Sequence, residues 1–174
     1  MLISRLALSG GTLQVPAWKS TIDSHELYKL SCVLPSVLGL IVFSKRGTLY
    51  NTSGLFPWDL MTAGLLIQGL FSYMGDVTTW GYSSLWKRLD VYLAILNTTL
   101  YGLFALFPLL GLSQWPKCVS VIQTLSLIWA LHYKSKGLNA LHQRNMNTFI
   151  FCHTCWHSVI WLGATINILL IDYM

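Results

Sequence analysis

Five polar side chains stand inside or at the edges of apolar stretches of this sequence: Ser72, Asp76, Asp90, His153 and His157. Ionisable groups in such stretches are costly to hold in a bilayer, so each is a functional candidate by position alone. Ser72 and Asp76 are four residues apart, as are His153 and His157 in the run His153-Thr154-Cys155-Trp156-His157. A spacing of four puts both members of a pair on one helix face. Two imidazoles one turn apart can chelate Zn²⁺, a carboxylate can supply a third ligand, and a fourth position is left for water. The expected metal ligands are therefore Asp76, His153 and His157. Asp90 is expected beside them as a general base or an orienting partner, and Ser72 as a hydrogen-bond donor to a developing oxyanion. A plainer explanation competes: two acids flanking a surface loop, Asp90 favoured by a helix dipole, and two histidines bonded to neighbouring helices.

The elements that position these groups follow from composition. The chain has 174 residues, of which 54% are hydrophobic and 10% charged, and its mean hydropathy is +0.56. Water is not the main solvent of such a chain. Lipid offers the backbone no hydrogen-bond partners, so the expected fold is all-α, a polytopic transmembrane bundle of about five helices. The first runs from about Leu30 to Ser44, contains Pro35 and is stopped by Lys45-Arg46-Gly47. The second opens at Pro57 and Asp59 and reaches Asp76, and the third runs from near Asp90 to Leu112 with a kink at Pro108. The fourth spans Lys117 to Tyr133, followed by an amphipathic or irregular connector from Leu138 to Asn147, and the fifth spans Thr148 to Ile171. Residues 1–29 form an N-terminal amphipathic, targeting-like segment, and residues 30–174 the transmembrane domain. Trp80, Tyr82, Trp86 and Trp115 suit the membrane interface, and Lys87-Arg88 marks the water.

Basic residues set the orientation. Arg5, Lys19, Lys29, Lys87, Arg88, Lys134, Lys136 and Arg144 fall on the side of the N-terminus, against Lys45, Arg46 and Lys117 on the other. That asymmetry puts the N-terminus on the cytoplasm-like side, meaning matrix or stroma in an organelle. The five polar residues then share one leaflet, with His132 in the same layer. Arg5 without an acid before Asp23 resembles a mitochondrial targeting segment. The excess of basic residues is a topology signal and not a nucleic-acid footprint. Cys32, Cys118, Cys152 and Cys155 make no disulfide framework, and the C-x-x-C spacing of Cys152 and Cys155 reads as helix packing.

The order Ser72, Asp90, His153 and His157 resembles the superfamily of alkaline ceramidases and progestin/adiponectin-type receptors. The resemblance implies a membrane hydrolase or receptor with a zinc site: a Ser followed four positions later by His, an Asp opening the next helix, and a late H-x-x-x-H pair. Asp76 stands where that superfamily has its first His, and about five helices stand where it has seven.

Two functions are expected from these features. One is a small accessory subunit, structural or assembly-related, of a respiratory, ATP synthase or photosynthetic complex. It would sit in the mitochondrial inner membrane or the thylakoid, with other membrane subunits and lipids as partners. A pigment-binding variant would use His132, His142, His153 or His157 as axial ligands. The alternative is a zinc-dependent, ceramidase-like amidohydrolase acting on a lipid amide. A transporter is disfavoured, since no inverted repeat or matched pair of broken helices is visible.

Overall fold

Each apolar run closes its own backbone hydrogen bonds as a helix, and the computed structural model describes residues 16–52, 56–82, 84–113 and 117–170. A 3₁₀ turn at Pro16–Trp18 leads into a short helix α1, Lys19–Ser24. Five long helices follow: α2 Glu26–Thr52, α3 Trp58–Tyr73, α4 Leu85–Leu106, α5 Lys117–His142 and α6 Met146–Leu170. A π-helical turn, Met74–Thr78, continues α3. Among the described residues there is no strand. The chain is thus an all-α bundle, and α2, α4 and α6 are long and apolar enough to cross a membrane. Large apolar side chains on all five long helices point outward, among them Leu40, Ile67, Leu103, Ile128 and Leu162. An outer surface of this kind is what lipid, not water, accommodates.

The helices form a closed ring. Each of α2 to α6 packs on the next in sequence, and α6 returns to α2. The α2–α3 seam is close because small residues line it: Ser36 Oγ donates to the Leu66 carbonyl at 2.6 Å, and a Cβ on Gly69 would collide with Ser36. Close approach through small residues is how helices gain packing contacts where lipid removes the hydrophobic drive. The largest core cluster, with Leu38, Trp58, Leu65, Phe104 and Ile160, fills the middle of the bundle and the end where α3 begins. A second cluster, with Ile22, Tyr28, Trp80, Phe149 and Ile150, covers the other end.

Five boundaries differ from the sequence reading. The first long helix is not stopped at Lys45-Arg46-Gly47 but continues to Thr52. Lys and Arg are good helix formers, and their stems can lie along an apolar surface, as Arg46 does over the Phe43 ring at 4.8 Å. Those residues do not end the helix. The helix expected to end at Tyr133 continues through Gly137, which packs against Cys152, and takes in the first part of the connector as far as His142. The third helix starts five residues before Asp90, at a Ser84 cap whose Oγ accepts from the Lys87 backbone N–H at 3.2 Å. It ends at Leu106, two residues short of Pro108, which therefore closes the helix instead of kinking it. Residues 26–29, placed on sequence in the N-terminal segment, are the first turn of α2. Trp115 and the targeting-like stretch of residues 1–11 lie outside the described residues.

Candidate metal centre

The π-helical turn decides where the centre lies. A π turn adds a residue to the helical register and is frequent at functional sites. Here it buries Gly75, Asp76 and Val77 together. Thr79 Oγ1 secures it by donating to the Met74 carbonyl at 2.8 Å. A Cβ on Gly75 would lie 3.0 Å from Lys87 Cα, so the bare glycine lets α4 approach and brings Lys87 to Asp76.

Lys87 is the pivot of the charges. Its Nζ pairs with Asp76 Oδ1, and with Asp90 Oδ2 at 3.3 Å. Asp90 Oδ1 also accepts from Gln68 Nε2 at 2.5 Å, so both of its oxygens are occupied. The Lys87-Arg88 pair was expected to mark the water, but Lys87 turns inward from the first turn of α4. Only 12% of its side chain is exposed.

Asp76 is divided between two partners. While Oδ1 meets Lys87, Oδ2 faces His153 Nε2 at 3.3 Å, and neither of these two atoms has a hydrogen-bond partner. Cys32, from the second turn of α2, completes the group: one ligand atom from each of Cys32, Asp76 and His153 lies within 4.8 Å of the others. A tetrahedral zinc with bonds of about 2.0–2.1 Å to O and N holds those two ligands about 3.3 Å apart, which is the separation seen between Asp76 and His153. Asp76 Oδ2 and His153 Nε2, which face each other at ion-pair distance, and the Cys32 thiol thus lie close enough to share one metal ion.

The remaining residues expected from sequence surround this group. Ser72, one turn before Asp76 on α3, is fully buried with its hydroxyl against the Cys32 thiol. The His157 ring stacks on that of His153 with centroids 4.6 Å apart, and its Nδ1 is buried without a partner. Cys32, and not His157, stands with Asp76 and His153 as the third close ligand. The structure thus gathers Ser72, Asp76, Asp90, His153 and His157 at one end of the bundle. His132 and His142 are exposed on α5, outside both clefts described next. Cys152 and Cys155 are free thiols, the first packed under Gly137, as expected of packing residues.

Two adjoining clefts reach the centre, of about 70 and 40 Å³. Both are lined by Asp76, Lys87, Lys134, His153 and Trp156. Each has room for water, since one water needs only about 10–15 Å³ of such volume. Tyr28 closes the centre on the opposite side, its ring stacked on His153 at 4.8 Å. Trp80 and Phe149 pack around it, and Trp18 joins from the N-terminal turn.

Sequence reasoning missed Cys32, Gln68, Lys87 and Lys134. Gln68 was within reach, since Gln68, Ser72 and Asp76 recur every four residues on an otherwise apolar helix. The inward direction of Lys87 carried no comparable signal. No protein-family model matches the chain, and no curated protein or solved structure is significantly similar to it.

Proposed function

We propose that this chain is a membrane-embedded, zinc-dependent hydrolase that cleaves a lipid amide. The observation that carries the reading is the convergence of Asp76 Oδ2 and His153 Nε2, 3.3 Å apart, with Cys32, one ligand atom of each lying within 4.8 Å of the others. Thiolate, carboxylate and imidazole together suit zinc among the common divalent ions. Bound there, the ion would supply Lewis acidity and lower the pKa of water at its open position.

The protein's own groups supply the rest. Asp76 offers Oδ2 because Lys87 holds Oδ1. Asp90, fixed by Gln68, orients Lys87 and does not face the reacting region as a free base. Asp90 is thus a positioning residue. His157 Nδ1 has no partner inside the protein, which leaves it free to bond water or a substrate carbonyl, and Ser72 lies against the Cys32 thiol. The ceramidase-like reading has its support in this placement of Ser72, Asp76, Asp90, His153 and His157, with Asp76 where an imidazole would be expected. An organellar membrane, with the polar end on the matrix or stroma side, has its support in the basic residues on that side and the Arg5-bearing start.

A second reading rests on a different observation. Lys87 already bridges two carboxylates, so the cluster also serves as an electrostatic cross-link between α3 and α4. That is what a small accessory subunit of a larger membrane complex would need from it. Metal analysis of the protein purified in mild detergent separates the two. Stoichiometric zinc, lost in His153→Ala together with hydrolysis of a fluorescent N-acyl lipid, is the expected result. A folded wild-type protein that takes up no zinc overturns the hydrolase in favour of the accessory subunit.

A further inference from the structure

Lys134 has no place in the metal centre, yet it lines both clefts that lead to it. It is half-buried on α5 and, among the described residues, has no carboxylate within ion-pair distance. Its ammonium lies over the Trp156 ring, 4.4 Å from the centroid. A lysine near a membrane edge ordinarily extends its amine outward to water and lipid headgroups. Lys134 is instead held against the inner wall of a cleft by an aromatic face, an attraction that supplies no negative charge.

The charge balance gives this placement a meaning. Asp76 and Asp90 share Lys87. With Lys134 included, and the histidines neutral, the described cluster is electrically balanced. Zinc held by a Cys32 thiolate, Asp76 and His153 would leave the centre with surplus positive charge in a low-dielectric setting, where it is most effective. An anion entering the cleft restores the balance. The cleft lies by Val91 of α4 and Tyr133 and Leu138 of α5. Of the neighbouring pairs in the ring, α4 and α5 touch least. The cleft's inner wall carries Asp76, Lys87 and His153 as well as Lys134, and the rest of its lining is apolar or aromatic, with Trp80, Leu141, Phe149 and Trp156.

We propose that Lys134 marks a binding site for the phosphate of a lipid headgroup, reached from the bilayer between α4 and α5, so that the lipid hydrolysed here carries a phosphate. The role as substrate and the charge surplus rest on the hydrolase reading; the placement of Lys134, held over Trp156 on the wall of both clefts with no carboxylate beside it among the described residues, does not. A lysine binds phosphate as a point charge, and the adjoining Val91, Tyr133 and Leu138 can receive the start of an acyl chain.

Native mass spectrometry of the full chain in mild detergent tests this, with phosphatidic acid, diacylglycerol of the same acyl chains, and inorganic phosphate as probes. The wild type is expected to retain one phosphatidic acid about tenfold or more tightly than diacylglycerol, the effect of one charge-assisted contact. Lys134→Gln is expected to lose that preference and Lys134→Arg to keep it, while both retain the metal content of the wild type. Equal retention of phosphatidic acid and diacylglycerol, or an unchanged preference in Lys134→Gln, overturns the site. Inorganic phosphate bound as tightly as the lipid overturns the lipid as its source. Zinc content is read on the same samples, so a Lys134-dependent preference without zinc supports this site and overturns the hydrolase alone.

Discussion

The two ends of the bundle are built on opposite rules. Where α3 begins, Trp58 is buried between Phe56, at 4.6 Å, and Phe104, at 5.0 Å, and Phe107 packs on Phe56 at 5.3 Å. Where α3 ends, the π turn, Lys87 and His153 gather charges around Asp76, set Cys32 beside them, and leave His157 Nδ1 without a partner. Aromatic packing of the first kind gains from every contact it makes and has no use for a ligand. Buried polar atoms of the second kind carry a desolvation cost until something binds them. The contrast lies in what each end gathers: packed rings at one, ion pairs and candidate metal ligands at the other.

The largest effect on stability belongs to the aromatic end. Trp58→Ala removes a fully buried indole that the surrounding rings cannot replace, and is expected to cost about 3–5 kcal/mol of unfolding free energy. Unfolding in detergent, followed by far-ultraviolet circular dichroism, measures it. Under conditions where the variant remains folded, its metal content is expected to match that of the wild type. A loss of metal in folded Trp58→Ala would break the comparison, because it would show that the two ends are mechanically one.

At the polar end, the sharpest probe is the cation. Lys87→Met leaves Asp76 and Asp90 buried with no counter-charge, and removing one partner of such a group costs about 3 kcal/mol. The double variant Lys87→Met with Asp76→Asn removes charge of both signs and is expected to recover more than half of that loss in the same unfolding measurement, though not the metal. Recovery of stability without recovery of metal separates the cross-linking role of the cluster from its binding role. A single variant with wild-type stability would show that Lys87 does not serve as a cross-link at all.

This division also explains what was legible in the sequence. Helix number and membrane character follow from apolar runs, which lipid allows to fold in few ways. The four-residue spacings of Ser72 with Asp76 and of His153 with His157 fix shared faces, and the up-and-down topology puts both pairs at one end. The direction of Lys87 was not legible, because a lysine beside an arginine near a helix start reads equally well as a snorkelling residue. It depends on the π turn, whose register shift has no simple residue signature. Cys32 was hidden for another reason: a thiol on an apolar helix looks like any small packing residue until a carboxylate and an imidazole from other helices arrive beside it. Helix ends at Lys45 and Tyr133 were misplaced because charged residues read as stops to an apolar run, whereas Lys and Arg are good helix formers and the backbone continues to Thr52 and His142.

The smallest expected effect comes from Tyr28, where the two rules meet. Its ring belongs to the aromatic packing, stacked on His153 and set edge-on to Trp80 at 6.5 Å, yet its hydroxyl is buried with no partner. Removing an unpaired hydroxyl while keeping the ring relieves a desolvation cost and breaks no bond within the protein. Tyr28→Phe is therefore expected to change the stability of the metal-free protein by less than about 1 kcal/mol, in the stabilising direction. If the hydroxyl completes its bonding to water or substrate at the metal, the variant loses in the zinc-loaded protein what it gained without zinc. Thermal unfolding of wild type and Tyr28→Phe, each with zinc and with a chelator, measures both differences. A change of sign between the two conditions places the hydroxyl in the binding end, and the same gain in both leaves it as part of the packing, with the boundary between the two ends drawn between Tyr28 and His153.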